Sequence, residues 1–255
     1  MKLKFINLNL WYGGKLFDEI IEFLKKEDPD ILSAQEVYNA TDEKLPLNYR
    51  SVAEIKEKLN FEFTAFSPTF LDHKKDNGIV AEQGNAIFSR FPILSTRTIF
   101  YEIPYDPNYV EIGPDFSKTP RNLQHCEIEI KGKILNVFNT QGIWGFDGED
   151  NEARLKMSKT IVREVEGKER VILSGDFNTK EQTETIRNIE TRLKNVFKGQ
   201  FETSFNMKRK SLPGFATSVV DMVFATDDLK IEEHYMPQVD VTDHMPLVVV
   251  FDIGD

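Results

Sequence analysis

Four carboxylates, one imidazole and several amides stand where the apolar runs of this sequence end. Phe5-Ile6-Asn7-Leu8-Asn9 carries two amides, and the run from Ile31 closes on Gln35 and Glu36. The run from Leu135 closes on Asn139, Thr140 and Gln141, and the run from Val171 closes on Gly175-Asp176-Phe177-Asn178. Asp221 lies inside an apolar run, and Asp243-His244 immediately precedes the last one. Strand side chains alternate, so Asn7 and Asn9 share a face. Singly, each residue has an ordinary structural reading: an Asp after a strand is usually a turn or helix cap. As an ordered set they describe one polar site. Glu36, Asp176, Asp221 and Asp243 would repel one another there unless a cation or an imidazolium offset them. Carboxylate and amide oxygens favour Mg²⁺ or Mn²⁺.

Bringing those ends together needs strands separated by helices. Strands are predicted over 2–10, 30–35, 61–66, 84–89, 93–101, 122–130, 133–140, 170–174, 217–225, 229–236 and 246–252. Helices are predicted over 16–26, 51–59, 151–166 and 181–193. The first has a stripe of Ile20, Ile21, Phe23 and Leu24. The opening reads as a βαβ unit and the middle, 84–140, as consecutive strands, a mixture that implies mixed sheets. Strands near both ends predict one domain over 1–255. Three stretches read as loops: 67–83, 102–120 with Pro104, Pro107, Pro114 and Pro120, and 198–216. Long loops in compact domains are functional or disordered.

The chain has 255 residues, 40% hydrophobic, with 20 Phe to fill a core, so global disorder is excluded. No apolar run approaches the roughly 18–20 residues of a membrane span. The amino terminus turns polar at Asn7, unlike a signal peptide. Cys126 is the only cysteine, which excludes an intramolecular disulfide and makes a reducing cytoplasm the expected location. A monomer is assumed. The net charge of -10 argues against a basic coat for non-specific nucleic-acid binding, yet leaves a nuclease open because a metal changes local charge. There is no Gly-x-Ser-x-Gly elbow, Walker loop or His-Glu-x-x-His pair. His73, His125 and His234 read as surface or structural, and Cys126 as inert. Lys208-Arg209-Lys210 reads first as a solvated loop tip, and alternatively as a phosphate-steering patch beside Phe205 and Phe215. Trp144 and Phe146 read as a substrate-facing loop or a packing cluster.

The ordered set resembles the endonuclease/exonuclease/phosphatase superfamily, which includes pancreatic-type DNases, exonuclease III-type repair nucleases, sphingomyelinases and inositol-polyphosphate 5-phosphatases. The resemblance runs through Asn9, Gln35-Glu36-Val37, Gly84 to Arg90, Asn139-Thr140, Gly175-Asp176-Phe177-Asn178, Asp221 and Thr242-Asp243-His244-Met245-Pro246-Leu247. The segment from Asn139 to Arg154 resembles a bacterial branch. The resemblance implies an α/β fold, a four-layer sandwich of two packed mixed β-sheets flanked by helices. It implies a phosphodiesterase or phosphatase dependent on Mg²⁺ or Mn²⁺ acting on a phosphodiester, with nucleic acid as one candidate. By matching position, Glu36 is the principal metal ligand with Asn9 beside it, and Asp243 is a second-site or metal-side ligand. Asp176 orients or deprotonates the attacking water, Asn178 positions water and phosphate, His244 touches the phosphate, and Asp221 fixes His244. Asn7 takes a supporting place at most.

The family's second histidine, in an Asn-x-His motif, is Gln141 here. An amide donates a hydrogen bond but gives up no proton near neutral pH. Three readings stay open: a natural variant with other leaving-group help, an engineered substitution, or a silent relative that binds a phosphorylated ligand. Gln141→His is expected to raise the rate at fixed Mg²⁺, with little change in melting temperature. Lipid-headgroup and inositol-polyphosphate phosphatases remain alternative activities.

Overall fold

The structure is a computed structural model describing residues 1–74, 78–110 and 115–254. Two six-stranded mixed sheets pack face to face. The first contains β1 (Lys2–Asn9), β2 (Ile31–Tyr38), β3 (Phe63–Lys74), β4 (Ile79–Ser89), β11 (Lys230–Tyr235) and β12 (Leu247–Asp252), in the order β11-β12-β1-β2-β4-β3. The second contains β5 (Ile93–Phe100), β6 (Asn122–Ile130), β7 (Lys133–Gln141), β8 (Val171–Asp176), β9 (Lys194–Asn195) and β10 (Asp221–Ala225), in the order β5-β6-β7-β8-β10-β9. Each sheet has one parallel pair at its centre, β1 with β2 and β7 with β8. Such a pair needs a crossover. Helix α1 (Phe17–Glu27) supplies the first and α3 (Glu152–Val165) the second, so each sheet is built around a βαβ unit.

Alternation along each strand fills three apolar layers. Leu3 and Phe5 of β1 meet Val137, Ile172, Val223 and Val249 between the sheets. Ile6 and Leu8, on the other face, pack under α1 and α2 (Ser51–Lys58). Leu173 and Phe224 pack under α3 and α4 (Glu184–Glu190). The helices begin where capping chemistry allows: Asn151 accepts a hydrogen bond from the Arg154 backbone N–H, and Thr183 from that of Ile186. With two sheets inside and helices outside, the four-layer α/β sandwich expected from the sequence is the fold.

In place of the loop expected over 67–83, of which 75–77 lie outside the described residues, β3 and β4 run on as a paired ladder. Pro68 and the charged residues after it suggest a loop, but β3 is an edge strand and its register shifts between Pro68 and Phe70, where proline is tolerated. The stretch 102–120 is irregular where described, and 111–114, with Pro114, lies outside the described residues. The stretch 198–216 is irregular up to the short 3-10 helix Pro213–Thr217, so β10 starts four residues later than its expected start. Among the described residues no helix is long and apolar enough to cross a membrane.

Candidate active site

The carboxyl ends of β1, β2, β7 and β8 converge on one edge of the sandwich, the end of parallel strands where ligands bind in open sheets. Along the inner face each strand runs from apolar to polar: Leu3, Phe5, Asn7, Asn9 on β1, Leu135, Val137, Asn139, Gln141 on β7, and Ile172, Ser174, Asp176 on β8. The deeper polar groups stitch the sheets together. Gln35 Nε2 donates to Asn7 Oδ1 at 2.9 Å and to Asn139 Oδ1 at 2.7 Å, and Ser174 Oγ donates to Ser33 Oγ. Asn7, Gln35 and Asn139 therefore lie beneath the site.

Glu36 enters by a break in the pattern. Leu32 and Ala34 face the helices, and strict alternation would send Glu36 after them. A register shift between Ala34 and Val37 and a left-handed backbone at Glu36 (φ 57°) turn its side chain to the pocket instead. Trp11, Tyr12 and Asn178, also at the pocket, share positive φ. Strain held at a site in this way is characteristic of functional positions. Glu36 Oε2 accepts the Tyr12 backbone N–H at 2.9 Å, and Oε1 accepts Asn9 Nδ2 at 3.1 Å and Gln141 Nε2 at 2.8 Å. Burial pushes this carboxyl up, but these donors and the charges of His244 and Arg121 bring it below the usual range.

Asn9 Nδ2 also reaches Asp176 Oδ2 at 3.1 Å, so one amide group spaces two carboxylates. Its Oδ1 accepts the Trp11 N–H, which fixes the amide's orientation. Asp176 Oδ1 accepts the Asn178 N–H at 2.9 Å. Burial, aided by Asp221 and Glu36 and opposed by His244, raises the Asp176 carboxyl to about 6. Gly175 precedes it because a Cβ there would lie 1.9 Å from the Thr140 carbonyl oxygen. Asn178 Nδ2 donates to the Gly142 carbonyl.

Asp221 faces Asp176 across the β8–β10 ladder, and its Oδ2 accepts His244 Nδ1 at 2.8 Å and Ser204 Oγ at 2.7 Å. Burial pushes the imidazole down, but Asp221, Asp176 and Asp243 outweigh it and raise His244 to about 10. The folded pKa lies above the unfolded value near 6.5. This pair's stabilisation is therefore complete below about pH 6.5 and lost as pH rises towards 10. Thermal melts of the metal-free protein are expected to fall across that window, and Asp221→Asn is expected to flatten the slope. An NMR titration showing His244 already neutral at pH 8 would refute the pairing.

Asp243 lines the same pocket, but its Oδ2 is held by Lys210 Nζ at 2.8 Å. Lys210, expected at a solvated tip, leans inward over Phe205 (5.8 Å) and Phe215 (5.4 Å), while Arg209 pairs with Asp240 outside. Trp144 packs edge-on against Phe116 and Phe146, so it serves as both packing cluster and pocket wall. His125 is structural, stacked on Phe138.

Two residues escaped the sequence reading. Arg121, just before β6, donates through Nη1 to Gln141 Oε1, so Gln141 bridges Arg121 and Glu36. The signal was a lone arginine beside Pro120, at the end of a strand antiparallel to the one ending in Gln141. Arg154 of α3, fully buried, gathers the carbonyls of Ile143, Gly145, Glu149 and Asn178. It ties the segment after β7 to the back of Asn178.

The result is a cavity of about 140 Å³ with a floor of Glu36, Asp176 and His244 and aromatic walls. A larger groove of about 790 Å³ beside β9 and β11 is an open surface feature without this chemistry. The donor set fits a hard divalent cation: Glu36 and Asp176 offer carboxylate oxygens at one amide. Asp176, Asp221 and His244 also offer ligand atoms within 4.8 Å of one another, with His244 Nδ1 bonded to Asp221.

Comparison with solved structures finds the same fold at low identity. An endonuclease/exonuclease/phosphatase of Bacteroides vulgatus is 18% identical with TM-score 0.72, covering 100% of both chains. A mannosyl-6-phosphatase of Bacteroides thetaiotaomicron is 19% identical with TM-score 0.66, covering 97% of this chain and 98% of that one. The human Nocturnin catalytic domain, with a bound sulfate, is 16% identical with TM-score 0.66, covering 98% and 94%. No curated protein matches. The model of the Endonuclease/Exonuclease/phosphatase family matches residues 6–244, a span that holds every strand-end residue of the pocket from Asn9 to His244, and the chain belongs to that family.

Proposed function

We propose that the protein is a divalent-metal-dependent phosphoester hydrolase. The observation that carries this reading is the meeting of Glu36 and Asp176 at the Asn9 amide, in one pocket with the His244 imidazole held by Asp221. Glu36 would hold Mg²⁺ or Mn²⁺ there, with Asn9 spacing it from Asp176. Bound, the cation supplies charge for the phosphoryl oxygens and the leaving oxygen. Asp176 accepts the proton of the attacking water, since a carboxyl near 6 is a base at neutral pH. Asn178 orients that water. His244, with Nδ1 committed to Asp221, presents Nε2–H to a phosphoryl oxygen. Asp243 acts through Lys210, keeping that ammonium at the pocket wall.

A cavity of about 140 Å³, smaller than the roughly 300–1,000 Å³ of ordinary ligand pockets, supports a small phosphoester or a chain end over a length of duplex. A net charge of -10 agrees with that choice. The name of the structural neighbour that is a mannosyl-6-phosphatase supports phosphoester chemistry. We take the chain to act as one unit, and the buried free thiol of Cys126 suits a reducing compartment.

The test is hydrolysis of bis(p-nitrophenyl) phosphate and p-nitrophenyl phosphate with and without Mg²⁺. Chelation is expected to abolish turnover, and Glu36→Gln to raise the Mg²⁺ needed for half-maximal rate by about tenfold or more. Turnover equal with and without chelator would overturn the metal requirement.

A further inference from the structure

Among the described residues, the pocket has three cationic side chains, and two of them touch a carboxylate: Lys210 on Asp243 and His244 on Asp221. Arg121 touches none. Its Nη1 donates to the neutral oxygen of Gln141, and its Nε is buried with no acceptor. The side chain is 7% exposed and lines the cavity with Glu36, Asp176 and His244. Gln141 stands between Arg121 and Glu36 and bonds to both.

A buried guanidinium with unspent donors destabilises a fold unless something supplies the missing acceptors. Its planar fork suits phosphate oxygens. Among the described residues the neighbouring Asn122 does not complete it, since it is turned to Asn85 and the Pro68 carbonyl. Arg121 lines the cavity where the hydrolase reading puts the scissile group.

We propose that Arg121 is the anion-binding group that receives the non-bridging oxygens of the substrate's phosphoryl group, and that Gln141 is a positioning residue that holds Arg121 against Glu36. This rests on the hydrolase reading and deepens it. Where the family pattern has a second imidazole, this chain places a permanent cation carried by an amide. The pair offers charge and no proton near neutral pH. The sequence alone pointed to a gain from Gln141→His. With both ends of the amide engaged, the expectation becomes a loss.

The experiment is calorimetric titration of inorganic phosphate into the full chain, with and without Mg²⁺, alongside thermal melts. Arg121→Met, which keeps the aliphatic stem, is expected to weaken phosphate binding about 10–100-fold, the scale of a charge-assisted hydrogen-bonded pair, without lowering Tm. Arg121→Lys is expected to recover part of the affinity, and it stands in if the methionine variant does not fold. Gln141→Met is expected to weaken phosphate binding less than Arg121→Met does. Unchanged phosphate affinity in a folded Arg121→Met or Arg121→Lys variant would overturn the proposal. Arg121-dependent phosphate binding in a protein that hydrolyses neither aryl phosphate would uphold the subsite and sink the hydrolase reading. Mg²⁺-dependent hydrolysis with phosphate binding indifferent to Arg121 would do the reverse.

Discussion

Asp176→Asn is expected to lower turnover by about 10²–10⁴-fold, the usual worth of a general base. The substitution keeps the side chain's shape and leaves an oxygen for the Asn178 N–H, which Asp176 Oδ1 accepts at 2.9 Å. It removes the basic oxygen. The surroundings set that oxygen's basicity, since burial raises the carboxyl to about 6, with Asp221 and Glu36 adding and His244 opposing. A carboxylate at its ordinary value near 4 would be a weak base, and one held much higher would be protonated at neutral pH. The parent rate should therefore climb with pH along an acid limb whose midpoint lies at or below about 6, because a cation beside Asp176 favours the charged form. The variant should lose that limb along with its rate. A pH–rate profile of both proteins on bis(p-nitrophenyl) phosphate decides it. Equal rates would remove Asp176 from the reaction.

Arg154→Met is expected to cost about 3–5 kcal/mol of stability, and at roughly 2–4 °C per kcal/mol for a chain of this size Tm should fall by about 10 °C. Arg154 Nε donates to the Ile143 carbonyl at 2.9 Å and Nη2 to that of Asn178 at 2.6 Å, with the Glu149 carbonyl on Nη1. Methionine fills the space of the stem but supplies no donor. Several carbonyls would then lose their partner at once, and each buried unsatisfied group costs about 1–3 kcal/mol. One of them belongs to Asn178, whose left-handed backbone (φ 52°) is among the strained positions of the pocket. Turnover should therefore fall together with stability. Arg154→Lys, with a single ammonium in place of a fork, should recover only a minor part. A melt unchanged in Arg154→Met would show that the segment after β7 is held by other means.

Local pattern made much of this protein legible. Apolar residues at every second position define β1, β7 and β8, and the turn to Asn9, Gln141 and Asp176 at their ends follows from the same alternation once both faces of the strand are known to be buried. The stripe of α1 and the caps of α3 and α4 mark helices for equally local reasons. These features depend on neighbours a few residues apart, so the chain displays them directly.

What stayed hidden depends on contacts between distant segments. Alternation alone sends Glu36 to the helix side. Only the bulge against β4 and its left-handed backbone bring it to the pocket, a strained state that the surrounding fold has to impose. Alternation alone does not say which amides stitch the sheets and which face the pocket, because Asn7 and Asn9 share a face of the strand and differ in what the opposite sheet presents to them. Arg121 and Arg154 resemble ordinary surface arginines until the sheets close over one and the segment after β7 wraps the other. Lys210 became part of the pocket only when the segment before β10 folded back over Phe205 and Phe215. Sequence spacing determined the strands, the helices and the kind of chemistry their ends can carry. The tertiary structure decided which charges meet, since the energy of a buried charge is set by partners that lie far away in the chain.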